Sequence, residues 1–398
     1  MHSRKVLAAI AVAVAVAASV ALTVPTASAA PRGPHTVPVS VTPEGKAAAG
    51  ASYDAVISRN GRYVGFDSTA EDLDPNVPHG GMYIRDLRTG KLRFSGFGGI
   101  VAVLNDGRYV YYQNDVVLHD PRTGKEEKFG IEIPAGFEGP IGEVSVSADT
   151  RYAVYTLQET GEGRVVFLRD RIAGTTQRIS QPKPTWEPRN ASRPTVSDDG
   201  RRVVYQYNYA NGPRGDDWGD VWMYDRGTGA RTQIDRSYDG SQTTRESTDP
   251  SISGDGRTVV FESADTHLVP DDTDASWNVF VHTIATGANQ RVQGPGDAPA
   301  HVYTRAPAVS ANGRYVTFTG RVDGLPGGTR NPVYLRDLKK GTTTLVTPDP
   351  AGDPASAQVE PGGIADGARR ITFVSWDGTL IPAGDTNDER DVFVRYLR

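Results

Sequence analysis

The chain has 398 residues, 43 Lys and Arg against 48 Asp and Glu, a formal net charge of −5, and no cysteine. Without cysteine there are no disulfides, catalytic thiols, thiolate metal sites or lipid attachment through a cleavage-site cysteine. A mildly acidic chain with no basic tract is a poor partner for nucleic acid.

Residues 1–29 read as a signal peptide: Arg4 and Lys5 form a basic start, Leu7 to Val24 an Ala/Val-rich apolar core, and Ala27-Ser28-Ala29 a small-residue cleavage site. The alternative is an uncleaved membrane anchor, although the apolar core is short for one. Cleavage removes the two positive charges of Arg4 and Lys5, takes the net charge from −5 to −7, and leaves a secreted, extracellular protein with no membrane span.

Residues 30–398 form one repeat array. Ser58 to Phe66 (SRNGRYVGF), Leu104 to Tyr112 (LNDGRYVYY), Ser147 to Tyr155 (SADTRYAVY), Ser197 to Tyr205 (SDDGRRVVY), Ser253 to Phe261 (SGDGRTVVF) and Ser310 to Phe318 (SANGRYVTF) are copies of one hairpin, and Asp366 to Phe373 is a seventh with one extra residue. Their turn positions, 61, 107, 150, 200, 256, 313 and 367, lie 43 to 57 residues apart, the length of a four-stranded blade with variable loops. The 44 Gly and 27 Pro, without a collagen-like period, punctuate turns. No long helix pattern occurs in the mature chain.

The third strands are Met82 to Leu87, Val116 to Asp120, Val165 to Asp170, Val221 to Asp225, Val279 to Ile284, Val333 to Leu338 and Val392 to Leu397. Five of the six third-to-fourth turns begin with Asp, and all six place Gly four residues on. Asp accepts turn amides and Gly takes positive φ, so these charges read as turn and inter-blade fixtures. The last repeat stops after its third strand, and the Val-rich stretch from 36 to 43 has no partner beside it. The expectation is an all-β, seven-bladed β-propeller of four-stranded antiparallel blades, its ring closed by the N-terminal strand.

Tight first-to-second and third-to-fourth turns share one rim. The long connections share the other, where binding surfaces are usually built. H-E-x-x-H, G-x-S-x-G, G-x-G-x-x-G and the P-loop motif are all absent.

Three sets of residues on the long-loop side are candidates. Seven residues before each turn stand Asp54, Ile100, Glu143, Arg193, Asp249, Ala306 and Glu360, with Arg305 beside Ala306; this ring would surround the channel mouth and meet a polar ligand, unless these are simply polar strand ends. Trp186, Tyr207, Tyr209, Trp218 and Trp277 would form an aromatic patch for a protein, peptide or glycan, or else pack beneath the loops. Asp385, Asn387 and Asp391, and Asp271, Asp272 and Asp274 with Asn278, space oxygen ligands as Ca²⁺ requires, though Asp and Asn also initiate turns; no other cofactor is implied.

Pro-x-x-Ser-x-Asp-Gly-Arg-x-Val-x-Phe followed by Val-Phe-Val-x-Asp-x-x-Thr-Gly resembles the WD-like repeat of TolB-type propellers and is similar to the propellers of prolyl oligopeptidase relatives. The resemblance covers the whole mature chain and implies a propeller that docks ligands or partners on a face or channel. It carries over no activity: the separate α/β domain of TolB and the hydrolase domain of the peptidases have no counterpart in this sequence. The expected function is therefore a secreted, monomeric, non-catalytic binding propeller. The alternative is a propeller enzyme acting on polysaccharide, a glycosidase or lyase with channel carboxylates as acid and base.

Overall fold

Each repeat begins with a hairpin whose geometry follows from its turn residues. All seven turn positions have positive φ: 72° at Gly61, 86° at Gly107, 64° at Gly200, 67° at Gly256, 68° at Gly313, 67° at Gly367 and 58° at Thr150, the one side chain among them. Ser253 shows why serine opens the turn: its Oγ accepts the Thr258 N–H at 3.0 Å and donates to Asp255 Oδ1 at 2.6 Å. At Gly200 there is a second constraint, since a Cβ there would lie 1.9 Å from the Tyr152 ring of the preceding blade. Thr150→Gly should therefore stabilise the chain by up to about 1 kcal/mol in urea unfolding. A loss of stability would mean that the threonine is held there by contacts of its own.

The computed structural model describes residues 33–397 apart from 78, 162, 181–187, 210–217, 242, 271, 273–274, 294–301, 323–329, 382–384 and 386. These residues form the expected seven-bladed propeller. Blades one to six are four-stranded antiparallel sheets with sequential strand order. The third strands fall where the sequence places them, from Gly81–Asp86 in blade one to Asp391–Tyr396 in blade seven. Blade seven differs in its inner position. Instead of a regular first strand it has two isolated bridges, Gln358 to Val374 and Ile364 to Ile371, because Pro361, two glycines and the extra turn residue interrupt the ladder.

The N-terminal strand His35–Pro38 closes the ring. It pairs antiparallel with Asp391–Tyr396, His35 opposite Tyr396 and Pro38 opposite Phe393, and the His35 and Tyr396 rings stack at 4.5 Å. The pairing continues into the Val39 N–H, which donates to the Val392 carbonyl at 2.7 Å.

The core repeats with the sequence. Seven apolar clusters each join two neighbouring blades; one sets Val56, Met82 and Ile84 of blade one against Ile100, Val103 and Tyr109 of blade two. Within blades one, three, five and seven, an aromatic of the second strand stacks on its cross-strand partner, as Phe261 on Phe280 and Phe66 on Tyr83 at 5.8 Å.

The turn Arg and Asp bond within a blade rather than between blades. Arg62 pairs with Asp86 at 2.7 Å, Arg151 with Asp170 at 2.7 Å, Arg201 with Asp225 at 3.2 Å and Arg314 with Asp337 at 2.6 Å, so each first turn is tied to the third-to-fourth turn beside it. Asp170 also accepts the amides of Ile172 and Ala173 at 3.0 Å. Asp170→Ala should cost about 1–2 kcal/mol in urea unfolding, mostly through those amides. Arg151→Ala should cost less than about 1 kcal/mol, and equal losses would put the weight on the ion pair instead.

Candidate functional site

A channel of about 730 Å³ runs along the axis, lined by the inner strand position of every blade. Six of the seven inner strand positions are regular strands, and each of those six carries a register shift where its ring residue sits: Tyr53/Val56, Ile100/Ala102, Gly142/Ser145, Ser192/Thr195, Thr248/Ser251 and Arg305/Ala308. At five of these bulges the residue is left-handed: Asp54 at φ 53°, Glu143 at 43°, Arg193 at 51°, Asp249 at 52° and Ala306 at 50°. A bulge re-aims one side chain out of the alternation, and here it aims each into the channel wall. All seven ring residues line that one cavity.

The channel mouth carries an excess of negative charge. Arg193 pairs with Asp249, and its backbone N–H donates to Glu143 Oε2 at 3.0 Å. Burial raises the Asp54 and Glu360 carboxyls; neighbouring acids raise Glu360 further, and Arg390 opposes the rise at both. Asp249 is pushed up to about 6, first by burial and then by Glu262, against the pull of Arg193.

Two wall carboxylates and one arginine at this mouth, Asp67, Glu262 and Arg390, are not in the sequence-derived ring. Asp67, pushed up to about 7 by burial, accepts the Ile100 N–H at 3.2 Å. Glu262, fully buried, accepts the Ala306 N–H at 2.8 Å and Arg305 at 2.6 and 2.9 Å. Both hold the bulge of the next blade, and both directly follow the second-strand aromatic, where Thr156, Gln206, Thr319 and Val374 stand in other blades. That departure from the repeat is the sequence signal for them. Arg390 lies over the rings of Tyr53 and Trp376 at 5.9 and 5.2 Å. At the tight-turn end, Arg59 of blade one pairs with Asp198 of blade four across the axis.

The aromatic candidates separate. Trp186 lies outside the described residues, as do the side chains of Tyr209 and Trp218, whose backbones pair at the ends of their strands. Tyr207 is buried, edge-on to Tyr205 and Trp222, in the cluster between blades three and four. Trp277 is half-buried beneath the Arg305 guanidinium at 4.5 Å, and Arg305 also meets the exposed Tyr303.

Of the loop oxygens, Asp385 Oδ1 accepts the Asn387 N–H at 3.1 Å, the Asn387 amide donates to the Ala48 carbonyl, and buried Asp391 accepts Ser40 Oγ at 2.6 Å. In the other acidic loop, Asp272 pairs with Arg291 at 3.1 Å and the Asn278 amide donates to the Ser276 carbonyl, while Asp271 and Asp274 lie outside the described residues. Among the described residues, no three Asp, Glu or His side chains converge as metal ligands, and no helix is long and apolar enough to cross a membrane.

The pH dependence of stability follows from these shifts. Asp67, Asp249 and Asp391, raised to about 7, 6 and 7, bind protons more tightly folded than unfolded; their contribution is complete below about pH 4 and is lost as pH rises through 6 to 7. Asp86 and Asp170, held at about 2 by arginine hydrogen bonds, contribute above about pH 4 and lose that contribution as pH falls towards 2. Melting temperature should peak near pH 5 and decline towards pH 8, and Asp67→Asn should flatten part of that decline. A steady rise from pH 5 to 8 would contradict the assignment.

No known protein family matches the sequence, and no curated protein is similar to it at the sequence level. Solved structures do match the fold. An oligogalacturonate lyase from Vibrio parahaemolyticus aligns at a TM-score of 0.59 with 13% identity over 91% of this chain and 93% of its own. An oligogalacturonate lyase in complex with manganese aligns at 0.57 with 15% identity over 88% and 90%. The propeller domain of the Trilobed protease from Pyrococcus furiosus aligns at 0.55 with 11% identity over 87% and 95%. TolB and prolyl endopeptidase propellers are also among the matches, at TM-scores below 0.5.

Proposed function

We propose that the chain is an exported, monomeric, non-catalytic propeller that takes a positively charged group of a protein or peptide partner into the channel mouth on its long-loop rim. The observation that carries this reading is the set of left-handed bulge residues. A non-glycine residue at φ near +50° is held at a cost of about 1 kcal/mol, and four of the five bear charges directed at one cavity. Ala306 shows that the bulge belongs to the fold; the charges placed on it are the variable part. Asp54, Glu143, Asp249 and Glu360 face a single ring cation, Arg193, and Arg305 is committed to Glu262. A lysine, arginine or amino terminus entering there would complete the charge balance.

A second reading, an enzyme acting on polysaccharide, is favoured by Asp249, whose carboxyl is raised to about 6 beside Glu262, as a general acid needs. Two structural neighbours are oligogalacturonate lyases by name. A polyuronate would, however, meet like charge at this mouth, so a neutral glycan is the better substrate class for that reading.

Fluorescence anisotropy with a lysine-rich peptide and its lysine-acetylated form separates the two, alongside turnover assays on galacturonan and neutral glycans. Acetylation, Asp249→Asn with Glu360→Gln, or Trp218→Ala with Tyr209→Ala should each weaken binding by about tenfold or more. Arg122→Ala and Lys340→Ala on the tight-turn rim should leave it unchanged. Equal affinity for both peptides, or glycan turnover lost in Asp249→Asn, would overturn the binding reading.

A further inference from the structure

One arginine beside the channel mouth is fixed in place, yet among the described residues none accepts a hydrogen bond from its guanidinium and no carboxylate pairs with it. The Arg390 carbonyl accepts the Ser52 N–H at 2.7 Å, which ties it to the start of the first strand of blade one, two residues before Asp54. Its guanidinium lies over the rings of Tyr53 and Trp376 at 5.9 and 5.2 Å, and Trp376 is 52% exposed. Other stacked arginines are engaged at their edges. Arg62, Arg151 and Arg314 each lie over a tyrosine and hold the aspartate of their own blade, and Arg305, over Trp277, hydrogen-bonds Glu262 twice. Ring contacts cover the flat faces of a guanidinium and leave its in-plane N–H groups, the fork that matches a carboxylate.

The segment on either side of Arg390 is braced. Before it, the Asn387 N–H donates to Asp385 Oδ1 at 3.1 Å, the Glu389 N–H donates to Asn387 Oδ1 at 2.8 Å, and the Asn387 amide reaches the Ala48 carbonyl. Asp388, between these bonds, is left-handed at φ 54°. After it, Asp391 accepts the Ser40 hydroxyl at 2.6 Å in the seam that closes the ring. The arginine is therefore presented by a fixed backbone. Its charge acts on Asp54 and Glu360, whose residues line the channel, so an anion-accepting group stands directly beside a cation-accepting one.

We propose that Arg390 binds a carboxylate of the same ligand whose positive group enters the channel mouth. The mouth then selects peptides in which a lysine, arginine or amino terminus is followed closely by a carboxylate, from an acidic side chain or from the end of the chain. This inference rests on the binding reading above and adds the second charge of the ligand to it. Ring contacts on the guanidinium favour such a pairing, because they hold the fork in one orientation before the ligand arrives.

Fluorescence anisotropy with the mature protein tests this with otherwise identical peptides in which a lysine is followed by Glu or by Gln with an amidated end, or by Gln with a free carboxyl end directly after it. The Glu peptide or the free-acid peptide should bind about tenfold more tightly than the amidated Gln peptide. The first gain identifies a side-chain carboxylate, the second a chain terminus, and either supports the proposal. Arg390→Gln should reduce the gain to less than about twofold and should bind the amidated Gln peptide no more weakly, because a positive charge has left an acidic mouth. Its melting temperature should stay within about 2 °C of the wild type, since the carbonyl of residue 390, not the side chain, holds Ser52. Lysine acetylation should weaken binding in both proteins. Equal affinity for the three peptides, with acetylation still weakening binding, would overturn the proposal and leave the binding reading standing. So would a gain that survives in Arg390→Gln. Insensitivity to acetylation would instead overturn the binding reading and this proposal with it.

Discussion

Deleting residues 31–44 should lower stability by about 5 kcal/mol, read as a fall of about 5–10 °C in melting temperature. The truncation removes the ladder from His35 to Pro38 and uncovers the apolar edge of Asp391–Tyr396. It also removes Val39 and Val41, which are 0% and 8% exposed. Arg85 of blade one loses two acceptors, because its guanidinium donates to the carbonyls of Val39 and Val41 at 2.7 Å. Burial has lowered the Arg85 pKa to about 10, so losing those carbonyls leaves a poorly solvated cation at the seam. An exposed, unpaired strand edge also invites pairing with a second chain, and the truncated protein should associate at concentrations where the full chain does not. Thermal melting and light scattering of the two proteins check both effects. An unchanged melting temperature would mean that blades seven and one hold together without the N-terminal strand.

Legibility in the sequence tracked local chemistry. The turn glycines, the serine before them and the aromatic after them are dictated by φ, by backbone hydrogen bonding and by cross-strand stacking, so seven hairpins could be read directly, including Thr150 where glycine is missing. Closure was legible because one blade lacked a strand and one strand lacked a blade. The ring of inner-strand charges was legible as a spacing, but the reason for it was not: the left-handed bulge at five of the seven positions is a backbone property of blade packing. Asp67 and Glu262 could be distinguished only by comparing blades with one another at the position after the aromatic. The turn Arg–Asp pairs were legible as structural, but not as ties within one blade, because which two turns share a rim edge depends on strand order in space. Tyr207 shows the limit of composition. An aromatic in a loop-rich stretch reads as surface, and its strand parity places it in the cluster between two blades instead.

The strained bulges make a prediction in which stability and binding move in opposite directions. At Asp54 and Ala306 the left-handed backbone, with φ of 53° and 50°, holds a side chain where glycine would be at ease. Asp54→Gly and Ala306→Gly should each raise stability by about 1 kcal/mol, and the double variant should melt about 2–3 °C higher. Removing the Asp54 carboxyl also removes one member of a run of mutually repelling acids, since Asp54 raises both Asp67 and Glu360. The two variants part company in function. Ala306→Gly should leave affinity for a lysine-bearing peptide unchanged, because no charge is lost, whereas Asp54→Gly should weaken it about tenfold. Gains in stability from Ala306→Gly alone would show that the Asp54 carboxylate is structural, through contacts that outweigh its backbone strain. If both variants are stabilised and both bind normally, the strain is a cost of the bulge geometry alone and the mouth carboxylates do not select the ligand.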